Sequence, residues 1–184
     1  MAQRGIVVWF TGLSGAGKTT TARLLEKRMQ EAGIKVEIVD AEAIRTNLSK
    51  DLGFTKEDRD ENIRRIANVC EVLSRDGVTV IVAAISPYRA ARDAARSQLG
   101  RFVEVHVQCP MEVLVSRDPK GHYKRALAGE LPHFTGVSDP YECPLSPEIT
   151  IDTARESASD NVERIWEALL RLGMLSNRVE PHAH

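Results

Sequence analysis

An α/β fold, with helices on both faces of a mainly parallel central sheet, is what the sequence predicts, and three observations carry that reading. Apolar β-rich runs alternate with helical patterns along the 184 residues, the order that builds strand–helix–strand units. The run VTVIVAAIS is apolar on both faces, as a central parallel strand requires. A glycine-rich turn, GLSGAGKT, lies directly between a strand pattern and a helix pattern. With 42% hydrophobic residues the chain reads as one globular domain over residues 1–175, and residues 176–184 are expected to be a disordered tail.

The elements follow in order. GIVVWFTG is a buried first strand, and the helix after the turn runs through about Met29. KVEIVDA is the second strand, Thr55 to Arg75 a long helix, and VTVIVAAIS the third strand. SPYRAARDAARSQL opens a helix with Pro87 near its first turn, where a missing N–H costs nothing. RFVEVHVQC is the fourth strand and PMEVLVSR a short helix with Pro110 at its start. From Asp118 to Pro147 the periodicity breaks down in a Gly-, Pro-, Lys- and His-rich stretch, too long for an ordinary loop and expected to include a lid over about 117–140. EITIDT is a last short strand, and ASDNVERIWEALLRL an amphipathic closing helix.

Bulk properties exclude several functions. Charged residues make up 28% of the chain but cancel to a net charge of −1, which argues against a nucleic-acid partner. No stretch is long and apolar enough to span a bilayer, so no membrane partner is expected. MAQRGIVVWF runs straight into a strand and lacks the apolar core and cleavage site of a secretory signal. Cys70, Cys109 and Cys143 are odd in number and have no metal-ligand spacing, as expected of reduced thiols in a cytoplasmic protein.

Gly12-Leu13-Ser14-Gly15-Ala16-Gly17-Lys18-Thr19 fills the pattern GxxxxGK[ST] without a mismatch. In such a loop the glycines let backbone N–H groups converge on phosphate oxygens, and the following helix adds its positive end. Gly12, Ser14, Gly15, Ala16, Gly17, Lys18, Thr19 and Thr20 are therefore the candidates for holding ATP, with Lys18 on the β/γ-phosphates and the Thr19 hydroxyl on Mg²⁺. The fold implied is a P-loop NTPase three-layer α/β/α sandwich with a lid. No NKxD-type guanine motif occurs, which disfavours a GTP-dependent switch.

An acidic pair, Asp40 and Glu42 in VDAEAIR, follows the second strand, where open α/β sheets place their chemistry. A carboxylate there can accept a hydroxyl proton or help to hold Mg²⁺, or Asp40 can simply cap the helix starting at Ala41. The third strand ends in Ala84-Ile85-Ser86-Pro87 with no acid, so Asp40, Glu42 or water must serve the metal instead. Arginines recur at 45, 59, 64, 65, 89, 92 and 96, a density that an anionic acceptor explains. Arg45 and Arg59 lie nearest strand ends and are the foremost contacts, whereas Arg89, Arg92 and Arg96 share a helix face that is by default solvated.

GLSGAGKTT, LGFTKEDRDENIRRI, AISPYRAAR, RDPKGHYKRALAGE and FTGVSDPYE, in this order between about Gly5 and Thr153, resemble the adenylyl-sulfate kinase family. The resemblance implies ATP-dependent, Mg²⁺-dependent phosphorylation of the 3′-hydroxyl of adenosine 5′-phosphosulfate. It also implies that Phe54 stacks on the acceptor adenine with Phe134 as the second wall. Arg45, Arg59, Asn62, Ile85 and Ser86 become acceptor-binding residues, Ser86 also a possible phosphate carrier, Lys120 and Lys124 lid lysines, and Arg117 the residue packed on the donor adenine. Asp40, Glu42, Lys18 and Ser86 are the catalytic set, and a homodimer is the implied assembly. One departure stands out: the family usually reads DGDNVR where this chain has DAEAIR, so Ala41 replaces a glycine and Glu42 an aspartate. His122 also stands where Leu or Phe is more usual. A kinase for another small hydroxyl compound, and a nucleotide-binding regulatory protein without turnover, remain alternatives that an acceptor panel separates.

Overall fold

A computed structural model describes residues 3–176, so the tail expected over 176–184 lies outside them apart from its first residue. Strands β1 (Val7–Thr11), β2 (Val36–Asp40), β3 (Thr79–Ala83), β4 (Phe102–Gln108) and β5 (Ile149–Asp152) form one sheet in the order β2-β3-β1-β4-β5. Every pairing is parallel. The helices are α1 (Lys18–Glu31), α2 (Ala41–Asn47), α3 (Lys56–Arg75), α4 (Arg89–Leu99), α5 (Met111–Arg117), α6 (His122–Leu127) and α7 (Ala158–Arg171). The chain winds from β1 toward β2 on one side and later from β3 to β4 on the other. That reversal opens a crevice above the carboxyl end of β1, where such folds bind ligands.

Strand alternation divides the core into two layers. Ile6, Val8 and Phe10 face the cluster containing Ala22, Leu25 and Met29 of α1 and Val162, Ile165 and Leu169 of α7. Val7 and Trp9 face the opposite cluster, with Ile63, Ile66 and Cys70 of α3 and Ala95 and Leu99 of α4. The ring of Trp9 lies 5.6 Å from that of Phe102. This is the three-layer sandwich expected from the run-and-helix alternation. Thr55 caps α3 by accepting from Asp58 N at 3.2 Å, and Ser157 caps α7 by accepting from Asp160 N at 3.1 Å.

Two expectations need correction. The stretch read as aperiodic from Asp118 contains α6, too short at six residues to show a helical period. The Asp118 carboxylate caps it from upstream, accepting from Tyr123 N and Lys124 N at 3.0 Å each. The face of α4 read as solvated is not: Arg92 is 1% exposed and bonds Glu104 of β4 at 2.9 Å, while Arg96 pairs with Glu148 and Glu104. A period of three or four cannot distinguish a solvated arginine face from one paired with the next strand and with Glu148 far along the chain.

Removing the fully buried ring of Phe10 (Phe10→Ala) is expected to cost about 3–5 kcal/mol in urea unfolding. Ser157→Ala, which deletes only a cap, is expected to cost about 1 kcal/mol in the same assay.

Candidate active site

The loop between β1 and α1 is shaped by two glycine requirements. A Cβ on Gly12 would lie 2.6 Å from the carbonyl oxygen of Val107 in β4, closer than such atoms approach. Gly17, the residue preceding α1, has φ +97, a left-handed conformation that side chains disfavour. Lys18 folds back over the loop, its Nζ donating to Gly12 O at 2.9 Å and Leu13 O at 2.7 Å. Only 9% of Lys18 is exposed, and burial lowers its pKa to about 8 despite the opposing pull of Asp40. Thr19 and Thr20 are exposed on the first turn of α1.

Asp40 caps α2 and also faces the first turn of α1. As N-cap of α2 its Oδ1 accepts from Glu42 N at 2.8 Å, and its Oδ2 accepts from the Thr19 hydroxyl at 3.3 Å. The exposed hydroxyl and carboxylate oxygens are hard donors that suit Mg²⁺, which takes one or two protein oxygens and completes its shell with phosphate and water. Among the described residues no group of three or more His, Cys, Asp or Glu side chains converges on a metal position, and this mode needs none. Ala41, in place of the family glycine, is the first residue of α2 and does not adopt positive φ, so its methyl is accommodated. Glu42 reaches outward to Lys120 of the lid, at 3.1 Å.

Across the crevice, the LGF loop presents Phe54 with 52% of its surface exposed. The guanidinium carbon of Arg45 stands 4.5 Å from the ring centroid and that of Arg59 5.4 Å. Burial, and then the charge of Arg59, lower the pKa of Arg45 against the opposing pull of Asp58, so the two guanidiniums are crowded together. Arg45 donates to Gly53 O at 2.8 Å, and Arg59 to Phe54 O at 3.1 Å and His133 O at 2.7 Å. Arg59 thereby ties the Phe54 loop to the segment carrying Phe134. Phe134 is half-buried, edge-on to Tyr123 at 5.1 Å and to His122 at 6.4 Å. Asn62 is 3% exposed and its Oδ1 has no protein partner. By contrast Arg64 and Arg65 are consumed by Glu61 and Asp51.

The remaining candidates divide. Ile85 is partly exposed at the end of β3. Ser86 is 2% exposed, with its hydroxyl accepting from Trp9 Nε1 at 3.0 Å and donating to Ala84 O at 3.3 Å. That hydroxyl is placed to brace the loop rather than to take a phosphate. Arg117 donates to Thr153 O at 2.7 Å, and the Thr153 hydroxyl donates to Ala16 O at 2.6 Å, so this arginine lies beside the phosphate loop. Sequence reasoning did not single out Thr153 or Tyr123. The phenol of Tyr123 donates to Ser14 O at 2.6 Å and moors α6 to the loop. A groove of about 530 Å³ runs from Leu13 along Gly136 to Tyr141 and Cys143.

A family model described as adenylylsulphate kinase matches residues 4–152 of the chain. The chain belongs to the adenylylsulphate kinase family. It is 53% identical over 179 residues to an adenylyl-sulfate kinase of Rippkaea orientalis, covering 97% of this chain and 99% of that one. The fold matches a Mycobacterium tuberculosis APS kinase solved in complex with AMPPNP and APS, with a TM-score of 0.88 and 39% identity over 91% of this chain and 98% of that one. It also matches a hexameric APS kinase from Thiobacillus denitrificans, with a TM-score of 0.72 and 35% identity over 95% of this chain and 30% of that one. As an adenylylsulphate kinase the protein is an ATP-dependent phosphotransferase that works with Mg²⁺.

The buried lysine of this adenylylsulphate kinase sets a pH dependence. In the free protein Lys18 loses its proton as pH rises through about 8, and a polyphosphate binds the charged form better. ATP affinity, measured by titration calorimetry, is therefore expected to hold below pH 8 and to weaken above it, with proton uptake on binding between pH 8 and 10.

Proposed function

We propose that these residues divide the transfer of the ATP γ-phosphate to the 3′-hydroxyl of adenosine 5′-phosphosulfate as follows. The Gly12–Thr20 loop and Lys18 hold the donor phosphates, and Arg117 packs beside the donor adenine. Asp40 accepts the proton of the 3′-hydroxyl and orients its oxygen toward the γ-phosphorus. Arg45 and Arg59 bind the phosphosulfate, Phe54 and Phe134 flank the acceptor adenine, and Asn62, Ile85 and Ser86 complete the acceptor wall. The lid, about residues 117–140, brings Lys120 and Lys124 over both nucleotides and keeps out water that would hydrolyse ATP. Mg²⁺, held by Thr19 with help from Asp40, would offset charge on the β- and γ-phosphates.

The observation that carries this reading is the exposed Phe54 ring with two crowded guanidiniums beside it. An adenine with an attached dianion meets both features, whereas a neutral sugar leaves the guanidiniums without a counter-charge. Phosphoryl transfer asks a protein chiefly for positioning and charge neutralisation, and the remaining residues are of that kind. For assembly we propose a homodimer, twice the 20.4 kDa of the chain by light scattering, and for location the cytoplasm. Among the described residues no helix is long and apolar enough to cross a membrane.

Incubation with MgATP and adenosine 5′-phosphosulfate, followed by chromatography, is expected to give the 3′-phosphorylated product; ATP consumption with no such product would overturn the assignment. Lys18→Ala is expected to reduce turnover by at least about 100-fold. Phe54→Ala is expected to raise the acceptor KM roughly tenfold or more, the worth of one base stack, while leaving the ATP KM and the melting temperature in place.

A further inference from the structure

A second polar network lies behind the site, and none of the roles above uses it. Its centre is Arg92 of α4, which satisfies three separate segments at once. Nε donates to Glu104 of β4 at 2.9 Å, Nη1 to Ser86 O at 2.6 Å and Nη2 to Glu142 O at 2.6 Å. Its companion is Tyr141, whose ring centroid lies 5.9 Å from the Arg92 guanidinium carbon and 6.2 Å from the His106 ring centroid. The Tyr141 hydroxyl is 2.9 Å from Thr11 Oγ1, and Thr11 donates in turn to Ile85 O at 2.7 Å. Thr11 has one hydroxyl proton, and Ile85 takes it. Tyr141 must therefore be the donor to Thr11, and burial supports this by pushing its phenol up to about 12.

The network has a mechanical task. Ser86 has φ +43, a left-handed value shared by His133 among the described non-glycine residues. A backbone so placed persists only where its surroundings over-determine it. Here they do: Arg92 holds its carbonyl, Trp9 its hydroxyl, and Thr11 the carbonyl just before it. The segment returning from the lid is sewn to the same place. Glu142 N donates to Pro87 O at 2.8 Å, Arg89 N to Glu142 Oε1 at 3.0 Å, and Arg89 Nε to Cys143 O at 3.0 Å. Thr11 immediately precedes Gly12, so the hydrogen-bond chain runs from the lid's root to the first residue of the phosphate loop.

We propose that Arg92 and Tyr141 are positioning residues that lock the Ile85-Ser86 turn to the end of β1 and to the lid's return segment, setting the acceptor wall against the donor loop. Neither side chain acts on a reacting atom. The inference rests on the acceptor role proposed for Ile85 and Ser86. It predicts that loosening the network harms acceptor binding selectively, because the donor phosphates are held by the loop and Lys18.

The test uses Tyr141→Phe, which deletes one hydroxyl, and Arg92→Lys, which keeps a cation beside Glu104 but cannot reach three acceptors. KM values for MgATP and for adenosine 5′-phosphosulfate are measured separately, alongside thermal unfolding. Trp9 emission is recorded in a Trp166→Phe background, since Trp9 donates to Ser86 and these are the two tryptophans of the chain. Tyr141→Phe is expected to raise the acceptor KM roughly three- to tenfold, the range for one lost hydrogen bond, with the ATP KM changed less than about twofold. Arg92→Lys is expected to do more, and both to shift the Trp9 emission. An acceptor KM and an emission both unchanged in folded Tyr141→Phe protein would overturn the proposal, as would equal losses for both substrates. Should Arg92→Lys fail to fold, Tyr141→Phe decides. A parent protein that makes no product from adenosine 5′-phosphosulfate sinks the functional reading instead, and the Trp9 signal still decides whether the network holds the turn.

Discussion

Holding a lysine ammonium with little water at the mouth of a parallel sheet is the constraint on which the rest of this structure depends. Lys18 is kept there by Gly12 O and Leu13 O, and those carbonyls are placed by a loop that crosses the end of β1 against Val107 of β4. The arrangement needs β1 in the sheet's centre, flanked by β3 and β4, with apolar packing on both faces. A desolvated cation favours an anion strongly, so the loop is suited to phosphate before any ligand arrives. The two core layers, the glycines and the helix behind the loop all answer to that one buried charge.

The arginines show how a nearly neutral chain can still build a strongly cationic site. Arg64, Arg65, Arg92 and Arg96 are matched by Glu61, Asp51, Glu104 and Glu148, and their charges are spent within the fold. Arg45 and Arg59 donate instead to backbone carbonyls beside an aromatic face, and Asp58 and Asp139 act on them only through space, without a bonded ion pair among the described residues. Removing one partner from the buried Arg92–Glu104 pair would strand the other, which makes such a pair expensive to break. Its location between α4 and β4 suits a part that must not move.

Much of this could be read in the chain beforehand, for identifiable reasons. Strands such as VTVIVAAIS carry their burial in composition, and the phosphate loop carries its function in spacing, because both depend on near neighbours. Phe54 and Phe134 are singled out by the resemblance of LGFTKEDRDENIRRI and FTGVSDPYE to the family, not by any periodicity of their own. What escaped depends on distant partners. No local pattern shows that Arg92 meets Glu104 and Glu142, that Tyr123 reaches Ser14, or that Thr153 reaches Ala16. Ser86 illustrates the boundary: its place at the end of β3 was legible, but its twisted backbone and buried hydroxyl were not.

The contact between Glu42 and Lys120 is easily broken. Both side chains are more than half exposed, at 77% and 59%, and exposed pairs of this kind contribute no more than about 1 kcal/mol. The Lys120 contact is therefore weak, whereas the nearby Tyr123 moors α6 to the phosphate loop and Arg59 holds His133 O further along the segment. A contact this weak can part without disturbing the framework on either side of it. Glu42 thus gives Lys120 a resting partner, and an anion in the crevice would draw Lys120 from it at little cost.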